Sequence, residues 1–163
     1  LDPGLAFGTG THPTTRMCLR WTARLAPALA PTWTRVLDYG CGSGILAIGA
    51  ALHGAGHIDA VDIDPAAVEA TRANAAANKV SVNAGLPELA QGPYPLVFAN
   101  ILATPLKLLA PLLCSHVAAG GHLVLAGILE RQTEELKAAY APWLALEVAD
   151  RDEGWVLMTG VMA

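Results

Sequence analysis

Charged residues and cysteines are both scarce in this chain, and each shortage limits what it can be. Only 15% of the 163 residues are charged, with 10 Lys and Arg against 14 Asp and Glu. Binding along a nucleic-acid backbone needs clustered cations, so we expect no direct contact with nucleic acid. The three cysteines, Cys18, Cys41 and Cys114, are odd in number and widely spaced. They predict neither a disulfide framework nor a metal site, and they are typical of a reducing cytoplasm.

Long apolar runs are also lacking, and we expect no leader segment. Although 53% of the residues are hydrophobic, Pro105, Lys107 and Pro111 interrupt the longest apolar stretch. It is therefore too short to span a bilayer. We expect no signal peptide, because no charged segment followed by an apolar one precedes the predicted first helix. Because the first residue is Leu1 rather than Met, we expect residues 1–163 to be one globular, cytoplasmic domain of a longer protein, with the end of a linker near residues 1–12.

Short apolar runs alternate along the chain with helical patterns and turn signals. This alternation is typical of successive βαβ units, which build a mostly parallel sheet with helices on both faces. One additional helix, from about residue 13 to about residue 29, precedes the first strand. Thr104, followed by Pro105, is the predicted N-cap of the helix after the fourth strand. The seven predicted strands are 35–39, 58–62, 80–83, 94–99, 122–126, 144–150 and 155–161. The sequence therefore predicts a Rossmann-like α/β fold.

A glycine turn follows the first predicted strand and enters a helix. Residues 38–44 read Asp-Tyr-Gly-Cys-Gly-Ser-Gly, so the glycine spacing differs from the dinucleotide fingerprint, and Ile45 occupies the place of its last glycine. Asp38 precedes Gly40 by two residues, where a carboxylate suits a cation better than a phosphate. S-adenosylmethionine carries a sulfonium and an ammonium and has no phosphate. We therefore predict that Asp38, Gly40 and Gly42 bind S-adenosylmethionine; the alternatives are a nicotinamide-dependent oxidoreductase and an ordinary strand-to-helix connection.

A second acid lies at the end of the second predicted strand. Asp62 follows Gly40 by 22 residues, and a carboxylate at this place can accept hydrogen bonds from ribose hydroxyls. We place Asp62 and the adjacent Ile63 in the cofactor site. Asp64, immediately before Pro65, is sufficiently explained as a helix N-cap.

Asn100 closes the fourth predicted strand at the edge where open α/β sheets bind ligands. Amine and amide methyltransferases place an Asn here, often followed by Pro-Pro-Tyr. Residues 101–103 are Ile-Leu-Ala instead, so no aromatic ring is available to stack on a planar base or a side-chain amide. The pattern therefore disfavours a nucleic-acid or glutamine substrate, while a turn or cap role for Asn100 is the structural alternative.

Residues 1–15 are rich in glycine and hydroxyl side chains and contain one aromatic residue, Phe7. This composition predicts a loop able to close over a ligand, or else a solvated terminus followed by a capped helix. His12 has two possible roles, a hydrogen bond within this loop and relay of a released proton.

Together these segments resemble the PrmA family, which methylates protein eleven of the large ribosomal subunit. The resemblance covers nearly the whole chain and is most specific over residues 1–15; the other matching segments are 38–48, 61–65, 99–103 and 154–156. It implies a seven-stranded class I methyltransferase fold with an antiparallel last strand. It also implies a separate amino-terminal domain, absent from this chain, that recognises the ribosomal protein.

The resemblance implies roles for individual residues as well. Phe7, Thr14 and Thr15 would border S-adenosylmethionine, Gly40 and Asp62 would bind it, and Asn100 would lie where the methyl donor meets the acceptor. The implied reaction is N-methylation of lysine side chains and the N-terminal amine, without a metal. Two alternatives remain: a methyltransferase of another protein or small amine, and a cofactor-binding module without catalysis.

Overall fold

A seven-stranded sheet organises residues 12–163, which are the residues that the computed structural model describes. Its strands are β1 (Arg35–Tyr39), β2 (His57–Val61), β3 (Asn83–Gly85), β4 (Tyr94–Asn100), β5 (Val117–Leu129), β6 (Glu147–Asp152) and β7 (Trp155–Val161). Their spatial order is β3-β2-β1-β4-β5-β7-β6. The strands β1 to β5 pair in parallel, whereas β7 runs antiparallel to both β5 and β6. This arrangement confirms the predicted fold, including its antiparallel last strand.

Helices cover both faces of the sheet. They are α1 (Pro13–Leu29), α2 (Ile45–Leu52), α3 (Pro65–Ala77), α4 (Ala103–Leu108), α5 (Ala110–Ser115) and α6 (Thr133–Tyr140). Because side chains alternate along a strand, Val36 packs in the core beneath α1 and α2, and Leu37 packs in the core beneath α4, α5 and α6. Within residues 12–163, no helix combines the length and the apolar character that a membrane span requires.

The predicted N-cap of α3 is confirmed, but that of α4 is wrong. The Asp64 carboxylate accepts a hydrogen bond from the Ala66 amide at 2.9 Å. The helix α4 begins at Ala103, one residue before the predicted cap at Thr104. Pro111 lies in the first turn of α5, after a break at Leu109, because a proline ring inside a continuous helix clashes with the preceding turn.

The third and fifth strands differ from the prediction. The third strand begins at Asn83, since the preceding residues complete the end of α3: Lys79 adopts a φ of 57° and the Val80 amide donates to the Ala75 carbonyl at 3.1 Å. These are the features of a Schellman motif. The fifth strand extends on both sides of the predicted 122–126, and the Gly120-Gly121 pair forms backbone hydrogen bonds with Met162.

Candidate functional site

The carboxyl ends of β1, β2 and β4 meet at one edge of the sheet. The register pairs Tyr39 with Val61 and Asp38 with Phe98, so the residues that follow these strands are neighbours. They include Gly40 and Asp62, while Asn100 ends β4 itself. The parallel topology therefore brings together side chains that the sequence separates, at the edge where α/β sheets bind ligands.

The glycine turn after β1 folds over the end of β2. The amides of Gly40 and Cys41 both donate to the Val61 carbonyl, at 2.8 and 2.9 Å. Gly40 has a φ of 78°, and a β-carbon there would lie 2.9 Å from Cγ2 of Ile101. A side chain at this position would be strained and would displace Ile101, so the turn requires a glycine.

The Asp62 carboxylate forms hydrogen bonds with two adjacent turns. Its Oδ2 accepts a hydrogen bond from the Gly42 amide, and its Oδ1 accepts one from the Asp64 amide, both at 3.0 Å. An ionised carboxylate has about four acceptor sites, so both oxygens keep capacity for further donors. Asp62 is therefore held in place while it can still bind hydroxyl groups.

Two clefts open on either side of Gly40, which lines both. The larger encloses about 510 Å³ and is mainly apolar; its lining residues are Tyr39, Gly40, Asp62, Ile63, Pro87, Ile101, Pro105, Leu108 and Leu109. The smaller encloses about 170 Å³ and is more polar; its lining residues are Thr15, Asp38, Gly40, Cys41, Gly42, Ser43, Ile45, Leu46 and Asn100. Such a pair of clefts fits a ligand that has one apolar part and one charged part.

Asp38 is the buried acid of the smaller cleft. Its side chain is only 1% exposed, and its Oδ2 accepts a hydrogen bond from the Ala47 amide at 3.3 Å. Burial raises the pKa of Asp38 to about 7, and the nearby negative charge of Asp62 adds to the increase. Among residues 12–163, no cationic side chain forms an ion pair with Asp38. A cationic ligand would therefore supply the missing partner.

Some of the predicted site residues line these clefts and others do not. Thr15 and Asn100 line the smaller cleft, and Ile63 lines the larger one with 81% of its surface exposed. The Thr14 hydroxyl instead lies 2.8 Å from Nδ1 of His12. Phe7 and the other residues of 1–11, which form most of the predicted 1–15 loop, lie outside the described residues.

His12 begins α1. Its Nδ1 accepts a hydrogen bond from the Thr14 amide at 3.3 Å, and its ring packs edge-on against Trp155 with 5.5 Å between the ring centroids. These contacts give His12 a structural role as N-cap and as an anchor for the start of α1. They also fix the helix turn that carries Thr15 to the cleft.

The sequence interpretation missed several lining residues. Pro87 and Leu108 belong to the segments that follow β3 and β4, so their approach to the site depends on the folded topology. Tyr39 and Ile101 were detectable, because each neighbours a predicted site residue in sequence. Within the described part of the chain, no cluster of three or more His, Cys, Asp or Glu residues could hold a metal ion.

The strand order and the place of the site define the class I methyltransferase architecture. A crystal structure of the ribosomal protein L11 methylase from Lactobacillus delbrueckii superposes with a TM-score of 0.82 and 32% identity, over 94% of this chain and 81% of that one. The Thermus thermophilus 16S rRNA N2 G1207 methyltransferase, solved with AdoMet and guanosine, superposes with a TM-score of 0.76 at 18% identity, over 99% of this chain and 46% of that one. The second similarity concerns the fold alone.

The sequence assigns the family within that class. The model of the family described as ribosomal protein L11 methyltransferase (PrmA) matches residues 1–162, and the chain belongs to this family. A Polaromonas relative named ribosomal protein L11 methyltransferase is 73% identical over 158 residues, which are 97% of this chain and 53% of the relative. A Bordetella parapertussis relative of the same name is 58% identical over 164 residues, covering 100% and 52%. The predicted family is confirmed, and the chain spans about half the length of these relatives.

Proposed function

We propose that this chain is the catalytic part of an S-adenosylmethionine-dependent enzyme that methylates lysine side chains and the N-terminal amine of ribosomal protein L11. Membership of the family supports the reaction class and the substrate. The structural observation that carries the proposal is Asp38, an acid buried in a polar cleft without a cationic partner among the described residues. A positively charged cofactor would supply the missing cationic partner.

The two clefts fit the two parts of this cofactor. Its charged amino-acid part matches the smaller cleft, which Asn100 also lines and where Asp38 and Thr15 supply oxygen atoms. Its nucleoside part matches the larger cleft, where Asp62 would bind the ribose hydroxyls and Ile63 would cover the base. Gly40 would present its backbone to the cofactor in both clefts, and Gly42 in the smaller cleft. The roles of Phe7 and Thr14 stay predictions from the family resemblance.

The acceptor amine must lose a proton before it can react. When bound, S-adenosylmethionine supplies a methyl group that is already activated for transfer. A free lysine with a pKa of about 10.4 costs roughly 4.6 kcal/mol to deprotonate at pH 7. Burial beside the cationic sulfonium would disfavour the ammonium form, because desolvation and a like charge both favour the neutral amine. The site thus promotes the neutral amine without a dedicated base.

Asn100 would orient that amine. Its side-chain carbonyl would accept one N–H of the neutral amine, which fixes the direction of the nitrogen lone pair. This contribution is one of positioning, which can supply a large part of a rate enhancement. Asn100 suits the task because it ends β4 directly beside the glycine turn.

Substrate recognition is a further part of the proposal. Because the chain spans about half the length of its curated relatives, we assign recognition of L11 largely to the portion of those relatives that the chain does not cover. Direct nucleic-acid, membrane and metal binding are not needed for this reaction. A ribosomal-protein substrate supports a cytoplasmic location for the enzyme.

Mass spectrometry of isolated L11, incubated with the full-length enzyme and S-adenosylmethionine, tests the function. We expect added methyl groups with the native enzyme. Asn100→Ala should lower kcat about 100-fold while the Kd of the cofactor changes by less than about threefold. Asn83→Ala is the control, because Asn83 lies on β3 and lines neither cleft of the site.

Each result has a distinct meaning. Unmodified L11 together with tight cofactor binding would contradict the proposed substrate and keep the cofactor. Absence of cofactor binding in calorimetry would overturn the whole proposal. Unchanged turnover in Asn100→Ala would remove that residue from the mechanism.

A further inference from the structure

Ile101, the residue that follows Asn100, lies between Gly40 in the turn after β1 and Gly127 in β5. On one side, Ile101 Cγ2 would lie 2.9 Å from a β-carbon at Gly40. On the other side, the Ile101 carbonyl oxygen would lie only 2.0 Å from a β-carbon at Gly127. Since ordinary nonbonded carbon atoms stay about 3.5–4.0 Å apart, neither neighbour leaves room for a side chain.

The Gly127 side of this arrangement involves backbone rather than a movable side chain. A β-carbon there would also meet the Ile101 carbonyl carbon at 2.6 Å and its nitrogen at 3.3 Å. Gly127 has a φ of 93°, a conformation that other residues rarely adopt. Both its conformation and its contacts therefore require glycine.

The same segment is tied to β5 by backbone hydrogen bonding. The register pairs Asn100 with Ala126, and the Ile101 amide donates to the Ala126 carbonyl at 3.2 Å. The pairing of β5 with β7 shifts register between Leu125 and Ile128, which places Gly127 at an irregularity. The register shift of β5 thus occurs where Ile101 and Gly127 approach each other closely.

We propose that Gly127 and Ile101 are positioning residues for Asn100: the close approach at Gly127 fixes the Ile101 backbone, and this sets the direction in which the Asn100 amide faces the smaller cleft. This inference rests on the proposed role of Asn100 in transfer. Gly127 itself lines neither cleft of the site, so it acts through its neighbour.

Gly127→Ala and Gly120→Ala form a matched pair that tests the proposal in the full-length enzyme. Both glycines lie in β5 with positive φ, at 93° and 76°, but a β-carbon at Gly120 would meet nothing within 4 Å. Both variants therefore carry backbone strain, and only Gly127→Ala adds the collision. We expect Gly127→Ala to lower kcat at least about tenfold with the cofactor Kd within about threefold, and Gly120→Ala to keep kcat within about twofold.

Two kinetic outcomes would overturn the proposal. One is an equal loss of kcat in both variants, which would show that backbone strain alone matters. The other is a parallel loss of kcat and cofactor affinity in Gly127→Ala, which would show a general collapse of the site. If Gly127 had a purely structural role, Gly127→Ala would lower the stability of the enzyme without lowering kcat more than cofactor affinity.

A second pair of variants keeps the test decisive if Gly127→Ala does not fold. Ile101→Ala removes the contact with the glycine turn and leaves Gly127 unchanged, so kcat should fall by a larger factor than the cofactor Kd rises. Ile101→Val keeps the branch at the β-carbon and should recover part of the lost kcat. Equal kcat values for Ile101→Ala and the native enzyme would contradict the proposal.

A spectroscopic measurement separates this inference from the proposed function. The side-chain amide resonances of Asn100 in the labelled protein report its position even where no methyl transfer occurs. We expect them to shift in Gly127→Ala and to keep their native position in Gly120→Ala. Unmethylated L11 with the native enzyme would refute the proposed function alone, whereas native Asn100 resonances in Gly127→Ala would refute the positioning role.

Discussion

Two aspartates are buried in neighbouring strands of the sheet, and their surroundings are opposite. Asp38 in β1 is 1% exposed and Asp59 in β2 is 3% exposed. The partners of the Asp59 carboxylate are the Tyr94 hydroxyl at 2.6 Å, His57 Nε2 at 2.8 Å, Asn83 Nδ2 at 3.4 Å and the Arg35 guanidinium at 3.8 Å. Asp38 has the Ala47 amide at 3.3 Å and a polar cleft.

The difference separates a carboxylate that is balanced within the fold from one that, under the proposed function, binds a ligand. A buried carboxylate normally needs compensating partners. For Asp59 the protein supplies them from four strands, so its charge is already balanced inside the fold. Asp38 has no cationic partner among the described residues, and such incomplete compensation in a cleft is typical of a functional site.

The largest effect is expected at the fully partnered acid. Asp59→Ala should lower the free energy of unfolding by about 3 kcal/mol, because it leaves the Tyr94 hydroxyl and neighbouring donors without their acceptor. Urea unfolding at constant pH measures this loss. The cofactor Kd of the folded variant should equal that of the native protein, since Asp59 lines neither cleft of the site.

Glu130→Ala is the control for Asp59→Ala. Glu130 pairs with Arg151 at 3.0 Å, and both side chains are more than half exposed. An exposed pair contributes about 1 kcal/mol or less. Similar losses in the two variants would mean that the Asp59 network adds no more than a surface ion pair, and the contrast between the two buried aspartates would fail.

At Asp38 we expect a loss of cofactor affinity without a loss of stability. Asp38→Asn keeps the shape of the side chain and removes the charge, so it should raise the Kd of S-adenosylmethionine about 30-fold, the equivalent of about 2 kcal/mol for a charged hydrogen bond. Stability without ligand should stay equal or rise, because no buried charge remains. Isothermal titration calorimetry gives the affinity, and an unchanged Kd would exclude Asp38 from the site.

Much of the sheet follows from local sequence patterns. The strands β1 and β7 have the predicted bounds, because each is an apolar run with turn residues on both sides. The position of β3 was wrong because Lys79, a residue without an evident turn preference, adopts the left-handed conformation that ends α3. Local sequence propensity does not reveal that Lys79 adopts this conformation, because the point where α3 ends depends on packing.

The candidate site was predictable where its residues follow strand ends. Gly40, Asp62 and Asn100 were found by this rule and Asp38 by its place two residues before the first glycine, and the structure places all four around the two clefts. The contrast between Asp38 and Asp59 was not predictable, since both follow apolar residues within a strand. What separates them is the set of partners that other strands bring, and the sequence shows no sign of it.

A pH dependence distinguishes the two aspartates by a smaller effect. Burial raises the pKa of Asp38 to about 7 from its ordinary value of 3.8. An acid with a raised pKa in the folded state contributes stability that is complete below the lower value and is lost as the pH rises through the higher one. The protein without ligand should therefore lose the Asp38 contribution to stability between about pH 4 and pH 7.

Cofactor binding should change in the opposite direction, because a cationic ligand favours the ionised form of Asp38. From pH 6 to pH 7 the ionised fraction rises about fivefold, while an α-amino group stays mostly charged. We expect the affinity for S-adenosylmethionine to rise by about this factor in the native protein, and to stay flat in Asp38→Asn. A folded Asp59→Asn variant should retain the full rise, since its partners compensate that carboxylate without a ligand. If Asp38→Asn kept the native slope, the proton would belong to another group, and the distinction between a ligand-balanced and a protein-balanced aspartate would lose its main support.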